Sequence, residues 1–234
     1  MRAWRLILSG IRCEGRGMLR YRKREITLAI GLSTLAGYVD ALGFLSLGGF
    51  FVSFMSGNST RLAVGVAGMP VEALIAARLI GCFLLGVILG SLIGRAAGSR
   101  RQPAVLAVVA AMLAAAAAMA GAGLPEYATM LVAVAMGAVN TTFERDGEVA
   151  IGLTYMTGSL VKLGQRIAGA LTGGPKVAWV PYLGLWLGFV GGAVIGALAW
   201  PFIGLAGLWF AALAALCLSA AAWMIARSAR DADA

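Results

Sequence analysis

Asp40 is the residue of this chain least at home in its surroundings. It stands about two-thirds of the way along the apolar run 26–47, and a carboxylate in hydrocarbon is costly and rarely without a partner or a task. It could hold a cation, a proton or a polar solute, or be one half of a structural ion pair. About one hundred residues on, Gly137-Ala138-Val139-Asn140 answers Gly37-Tyr38-Val39-Asp40. Asn140 keeps the hydrogen-bonding shape and drops the charge.

A second pair of segments carries hydroxyls, amides and glycine. Phe54-Met55-Ser56-Gly57-Asn58-Ser59-Thr60-Arg61-Leu62 is echoed 101 residues later by Tyr155-Met156-Thr157-Gly158-Ser159-Leu160-Val161-Lys162-Leu163. Glycine permits a break, and Ser or Asn suits the start of a helix that resumes after it. A helix that begins inside a membrane points free N–H groups and the positive end of its dipole at the break. The bland alternative is close packing of small residues. Arg61 and Lys162 fall one turn into each resumed helix, where a cation opposes the dipole unless an acid or a bound anion is near. Asp40 is the expected partner of Arg61, and Glu148 or Asp146 that of Lys162; snorkelling to headgroups is the other reading. The candidate substrate-binding set is therefore Asp40, Tyr38, Ser56, Gly57, Asn58, Arg61, Asn140, Thr157, Gly158, Ser159 and Lys162. The site is expected where Asp40, Asn58, Asn140 and Ser159 converge.

Other chemistries lack their residues. The chain has no histidine and three cysteines, Cys13, Cys82 and Cys217, with no CxxC pair. No HExxH and no recognisable catalytic spacing occurs, so no enzyme activity, metal or cofactor is expected. Phe143-Glu144-Arg145-Asp146-Gly147-Glu148 is the most polar internal stretch; it reads as a solvated cytoplasmic turn rather than a divalent-cation site.

These residues must be positioned by membrane helices. Of 234 residues 61% are hydrophobic and 12% charged, with mean hydropathy +0.90, against about 25% charged in a soluble domain. That excludes a soluble enzyme, a disordered chain and a nucleic-acid module, and makes the lipid bilayer the first partner. Apolar runs fall at about 26–47, 50–68, 71–94, 103–123, 127–143, 150–172, 178–200 and 203–226. Arg2, Arg5, Arg12, Arg16, Arg20, Arg22, Lys23 and Arg24 form a basic amino-terminal tail, and Arg95, Arg100 and Arg101 a basic loop. Basic segments stay cytoplasmic. The charges fit if the second and sixth runs are broken or re-entrant and the other six cross.

The expected fold is an all-α, polytopic membrane helix bundle. Residues 1–25 are a basic cytoplasmic tail, 26–226 one membrane domain and 227–234 a cytoplasmic tail. Within the domain, repeat one covers about 26–123 and repeat two about 127–226. Three crossings per repeat is an odd number, so the repeats should be inverted, and paired interrupted segments in inverted halves mark transport sites. The alternative is eight crossings as two parallel four-helix repeats.

Four blocks in order, Ala36-Gly37-Tyr38-Val39-Asp40-Ala41, Phe54-Met55-Ser56-Gly57-Asn58, Met136-Gly137-Ala138-Val139-Asn140 and Thr154-Tyr155-Met156-Thr157-Gly158-Ser159-Leu160, resemble the signature of the YoaK family of small bacterial inner-membrane proteins. The resemblance covers about 26–226. Val139 stands where that family commonly has glutamine, and Glu144 where it commonly has a small or apolar residue. The resemblance implies an integral membrane protein of the inner membrane and supplies no substrate. The residues themselves favour a transporter or channel for a small anionic or zwitterionic solute, with Asp40 able to carry a coupling proton or cation, both termini cytoplasmic and no nucleic-acid partner. The rival is a non-transporting scaffold or assembly partner, homo-oligomers included, whose small-residue faces such as Gly188-Gly191-Gly192-Gly196 would turn outward.

Overall fold

In hydrocarbon every backbone polar group must be satisfied within the protein, and this chain meets that demand with helices. The computed structural model describes residues 23–145, 148–149 and 151–233. The basic stretch 1–22, with Asp146 and Gly147 of the polar turn, lies outside the described residues. Eight α-helices occur among them: α1 Lys23–Ser46, α2 Met55–Gly68, α3 Pro70–Ala97, α4 Arg101–Gly121, α5 Pro125–Val139, α6 Met156–Leu171, α7 Val180–Ile203 and α8 Leu208–Asp233. The helical stretches Arg24–Ser46, Pro70–Gly121 and Val180–Ser228 are apolar and long enough to cross a membrane; the last two each fold as a helical hairpin. The protein is an all-α membrane bundle. Its extended structure among the described residues is one two-residue ladder, β1 Glu144–Arg145 against β2 Glu148–Val149. α8 stays helical to Asp233, past the end of its apolar stretch at Ser228.

Proline opens α3 and α5 at a position where the missing N–H costs nothing. After α1 the chain turns on Gly48 and Gly49, both at positive φ, 62° and 101°, a conformation glycine alone adopts freely. This turn sends residues 50–54 back along the bundle.

Glycine sets the helix packing. On α7, Gly188, Gly192 and Gly196 lie on Ile30, Thr34 and Tyr38 of α1, a constant offset, so the two helices run in the same direction. On α3, Gly86 and Gly90 lie on Val134 and Ala138 of α5, and Arg78 pairs with Glu126 at the same offset. These helices also run together. The ends of α1, α4 and α7 meet at one surface pocket through Ser46, Gly121 and Trp200. Midway along α8, the Ser219 hydroxyl donates to the Pro103 carbonyl near the start of α4. Hence α1, α4 and α7 point one way, and α3, α5 and α8 the other.

The contacts come in matching sets. A Cβ on Gly86 would fall on the Val134 carbonyl, and one on Gly192 would fall on the Thr34 carbonyl. Gly137 abuts the Phe83 carbonyl as Gly37 abuts that of Phe189. Each set converts into the other by the sequence offsets of about 100 and 106 residues. The first helix of each half packs on the third helix of the opposite half, and offset-related helices run in opposite directions.

The remaining helices, α2 and α6, are short. α2 folds back along α3, with Gly65 against Ala73 near the turn at Met69. Its other end reaches Phe83, midway along α3. α6 begins beside the same point.

Candidate functional site

Each short helix is preceded by a stretch without helical hydrogen bonds. Residues 51–54 and 152–155 have the same irregular form, and Val52-Ser53 and Leu153-Thr154 are buried within them. Buried N–H groups in such a stretch need acceptors. Asp40 supplies them in the first half: its Oδ1 accepts the N–H of Val52 at 3.0 Å and of Ser53 at 2.8 Å. Asn140 does the same work in the second half, its Oδ1 accepting the Thr154 N–H at 3.3 Å and the Thr154 hydroxyl at 3.2 Å. Asn58, fully buried, clamps Phe51 from both sides. Its Oδ1 accepts the Phe51 N–H at 3.0 Å and its Nδ2 donates to the Phe51 carbonyl at 2.6 Å. Ser159, its counterpart by offset, is buried in the first turn of α6.

These supports hold two helix starts face to face. α2 starts at Met55 and α6 at Met156, and neither preceding residue, Phe54 nor Tyr155, caps its helix with a side chain. A cavity of about 300 Å³ lies between the starts, lined by residues 53–56 and 154–158 together with Phe83. The first-turn N–H groups of a helix have no intrahelical acceptor, so both starts direct donors into this space. Ser53 also lines it, and its hydroxyl is buried without a hydrogen-bond partner. It lies beside the Asp40 carboxylate but outside bonding geometry.

The residues expected from sequence divide into three groups. Ser56, Thr157 and Gly158 line the cavity, with Gly57 two residues past the α2 start. Asp40, Asn58 and Asn140 hold backbone and Ser159 is buried in the first turn of α6, and none of the four lines the cavity, which corrects the expectation that they meet at its centre. Tyr38, Arg61 and Lys162 stand elsewhere. The Tyr38 hydroxyl donates to the Gly207 carbonyl at 3.1 Å, the Arg61 guanidinium lies 4.6 Å from the centre of the Phe50 ring, and Lys162 is exposed on α6. The expected Asp40–Arg61 ion pair is not formed; the described ion pairs are Arg78–Glu126 and Arg101–Glu144. Sequence reasoning passed over Ser53, Phe83 and Thr154 as lining residues.

Glu144 is a further correction. It was expected in a solvated turn, yet its side chain is 7% exposed and clasped by α3 and α4. Arg101 lies 2.9 Å from its Oε2, and the Ser91 hydroxyl donates to the same oxygen at 2.8 Å. The Arg101 hydrogen bond holds this carboxyl below the usual glutamate range. Folding therefore favours the ionised form. Its contribution is complete above the ordinary glutamate range and is lost as pH falls through the depressed folded value. Glu144→Gln should lower neutral-pH stability by about 2 kcal/mol and flatten the acid side of a melting-temperature profile. A variant that retains the wild-type acid limb would place the titration elsewhere.

Apolar helices with constant glycine-notched contacts, and a cavity between two helix starts at the mid-length of α3, define a multi-pass helical membrane protein. The family described as "Protein of unknown function (DUF1275)" matches residues 28–221, and the chain belongs to that family. It is 39% identical over 186 residues to UPF0700 transmembrane protein RA0705 of Rhizobium meliloti, covering 78% of this chain and 80% of that protein. It is 33% identical over 161 residues to UPF0700 transmembrane protein YoaK of Bacillus subtilis, covering 64% and 69%. No solved structure matches it.

Proposed function

We propose that the protein is a transporter or channel for a small anionic or zwitterionic solute, built from two inverted repeats and seated in the bacterial inner membrane with both termini cytoplasmic. The observation that carries this reading is the cavity. Its walls come from offset-matched segments of both halves, and two uncapped helix starts open into it at the mid-length of α3. Interrupted helices at the interface of inverted repeats are where membrane carriers bind their cargo. Polar backbone inside a membrane is tolerated where protein buries it or where it lines such a space. The reading assigns no catalytic chemistry to the site.

Against the scaffold alternative stands the direction of the small faces. Gly188, Gly192 and Gly196 turn inward onto α1, and Gly86 and Gly90 turn inward onto α5. They are spent on holding this chain together, which leaves an assembly partner little of that surface to grip.

Gly158 provides the test. A side chain there meets nothing within 4 Å, and the residue lines the cavity. Gly158→Leu should therefore fold normally, melt like the wild type and reduce solute flux in proteoliposomes to background. Unchanged flux through a folded Gly158→Leu protein would remove the cavity from the transport path. Gly57 is a poorer probe, because its Cβ would strike the Phe54 ring at 2.6 Å.

A further inference from the structure

Resting on that reading of the cavity, we propose that its solute is a monovalent anion, bound together with a proton taken up by Asp40. The first argument is a charge count. Each helix start presents the equivalent of about half a positive charge, and two starts sum to about one. The lining residues, 53–56, 154–158 and Phe83, include no lysine, arginine, aspartate or glutamate. The ammonium of a zwitterion or a cation would find no acid there and would be stranded away from water. A dianion would exceed the charge the two starts supply.

The second argument is the polarity of the unsatisfied groups. Donors stand at the cavity without side-chain caps in the first turns of α2 and α6, although the Met156 N–H already goes to the Thr154 carbonyl, and the buried Ser53 hydroxyl has no hydrogen-bond partner. Thr154, the counterpart of Ser53, already gives its hydroxyl to Asn140. The two halves are thus alike in backbone and unlike in free donors, and the surplus lies with Ser53. An acceptor-only ligand completes this set.

The third argument concerns Asp40, which lies one peptide unit behind the wall. Its carboxylate accepts the Ser53 N–H and sits beside the Ser53 hydroxyl. Ionised, it opposes the charge of the helix starts and repels an anion. Among the described residues, no cation answers it from the elements around it. Beyond its first turn α1 carries no other charge, and α7, residues 50–54 and Gly204–Gly207 carry none. On α2, Arg61 stacks on Phe50. On α5, Glu126 is bonded to Arg78. The charges of α8 begin at Arg227, at the end remote from Tyr38 and Gly207. Adding one proton to the carboxylate removes the repulsion, so anion and proton enter as a neutral pair and no other bond changes.

The test uses the purified full chain in detergent, with melting temperature followed against sodium nitrate, sodium formate, sodium sulfate and glycine in mildly acidic and mildly alkaline buffer. A ligand that binds only the folded state raises the melting temperature. Nitrate and formate should stabilise, more in acid than in alkali, and sulfate and glycine should not. Ser53→Ala should weaken the monovalent anion about tenfold, the size of one hydrogen bond to a charged group. Asp40→Asn, which keeps the oxygen that Val52 and Ser53 need, should make anion binding independent of pH. Equal stabilisation by glycine or sulfate would overturn the assignment of a monovalent anion. Equal nitrate shifts in the two buffers would overturn the role of the proton. If neither anion stabilises the protein, the proposal falls. Flux of another solute that Gly158→Leu still blocks would then show that the transport reading survives without it.

Discussion

Gly192→Leu leaves little or no folded protein, while Gly191→Leu one position away accumulates and melts close to the wild type. The contrast follows from where each Cβ would go. At Gly191 it meets nothing within 4 Å, whereas at Gly192 it falls on the Thr34 main-chain carbonyl of α1. A flexible side chain could swing aside, but a carbonyl inside a helix cannot, so α1 and α7 must separate along their length. Overpacking commonly costs about 1–3 kcal/mol even where neighbours can adjust. With rigid backbone as the neighbour, the cost should exceed about 3 kcal/mol, a large part of a typical total of about 5–15 kcal/mol. Gly37, Gly86 and Gly137 occupy equivalent notches and should respond alike. Gly90 belongs with them, since its Cβ would meet the Thr141 hydroxyl at 2.5 Å. Fluorescence-detected gel filtration of tagged variants measures the effect, and a monodisperse Gly192→Leu protein with wild-type melting would refute this account of the packing.

The second large effect separates two substitutions at one residue. Asp40→Ala leaves the buried N–H groups of Val52 and Ser53 without their acceptor. Each orphaned group costs about 1–3 kcal/mol, so the variant should lose about 2–6 kcal/mol and release residues 50–54 from the cavity wall. Asp40→Asn retains an acceptor oxygen in the same place, as Asn140 does in the other half, and should lose little. Adding Arg61→Gln should not rescue Asp40→Ala, because the guanidinium rests on Phe50. Thermal melts of the three proteins in one detergent decide the matter. Rescue by Arg61→Gln would mean that Asp40 is held by charge and not by backbone.

The bundle was legible because its signals are long and repetitive. Apolar runs marked the helices, basic loops suggested which pairs form hairpins, and the matched blocks located both short helices to within a few residues. The site was half legible for a different reason. Sequence singles out polar residues in apolar surroundings, and Asp40, Asn58 and Asn140 are polar because irregular backbone needs partners. The residues that face the cavity include Phe54, Met55, Phe83 and Tyr155, which look ordinary in a membrane segment. Ser53 and Thr154 stand at the same offset as the rest of the second block and lie only a few residues before it, yet their different side chains hid the match. Glu144 was misplaced because its partner Arg101 lies 43 residues earlier, in a loop whose charges had already been explained by topology.

The exchange of helices between halves also fixes an order of events during synthesis. Among the described helices α1 leaves the ribosome first, and the face that Gly37 shapes is complementary to α7, some 150 residues later in the chain. Until α7 is made, that face has only lipid or transient neighbours against it. The mirror contact, α3 with α5, closes much earlier, because the segment between them is α4 alone. The second half therefore begins to assemble onto the first before it is finished, and the first half is completed only by the second. Neither half can become native ahead of the other.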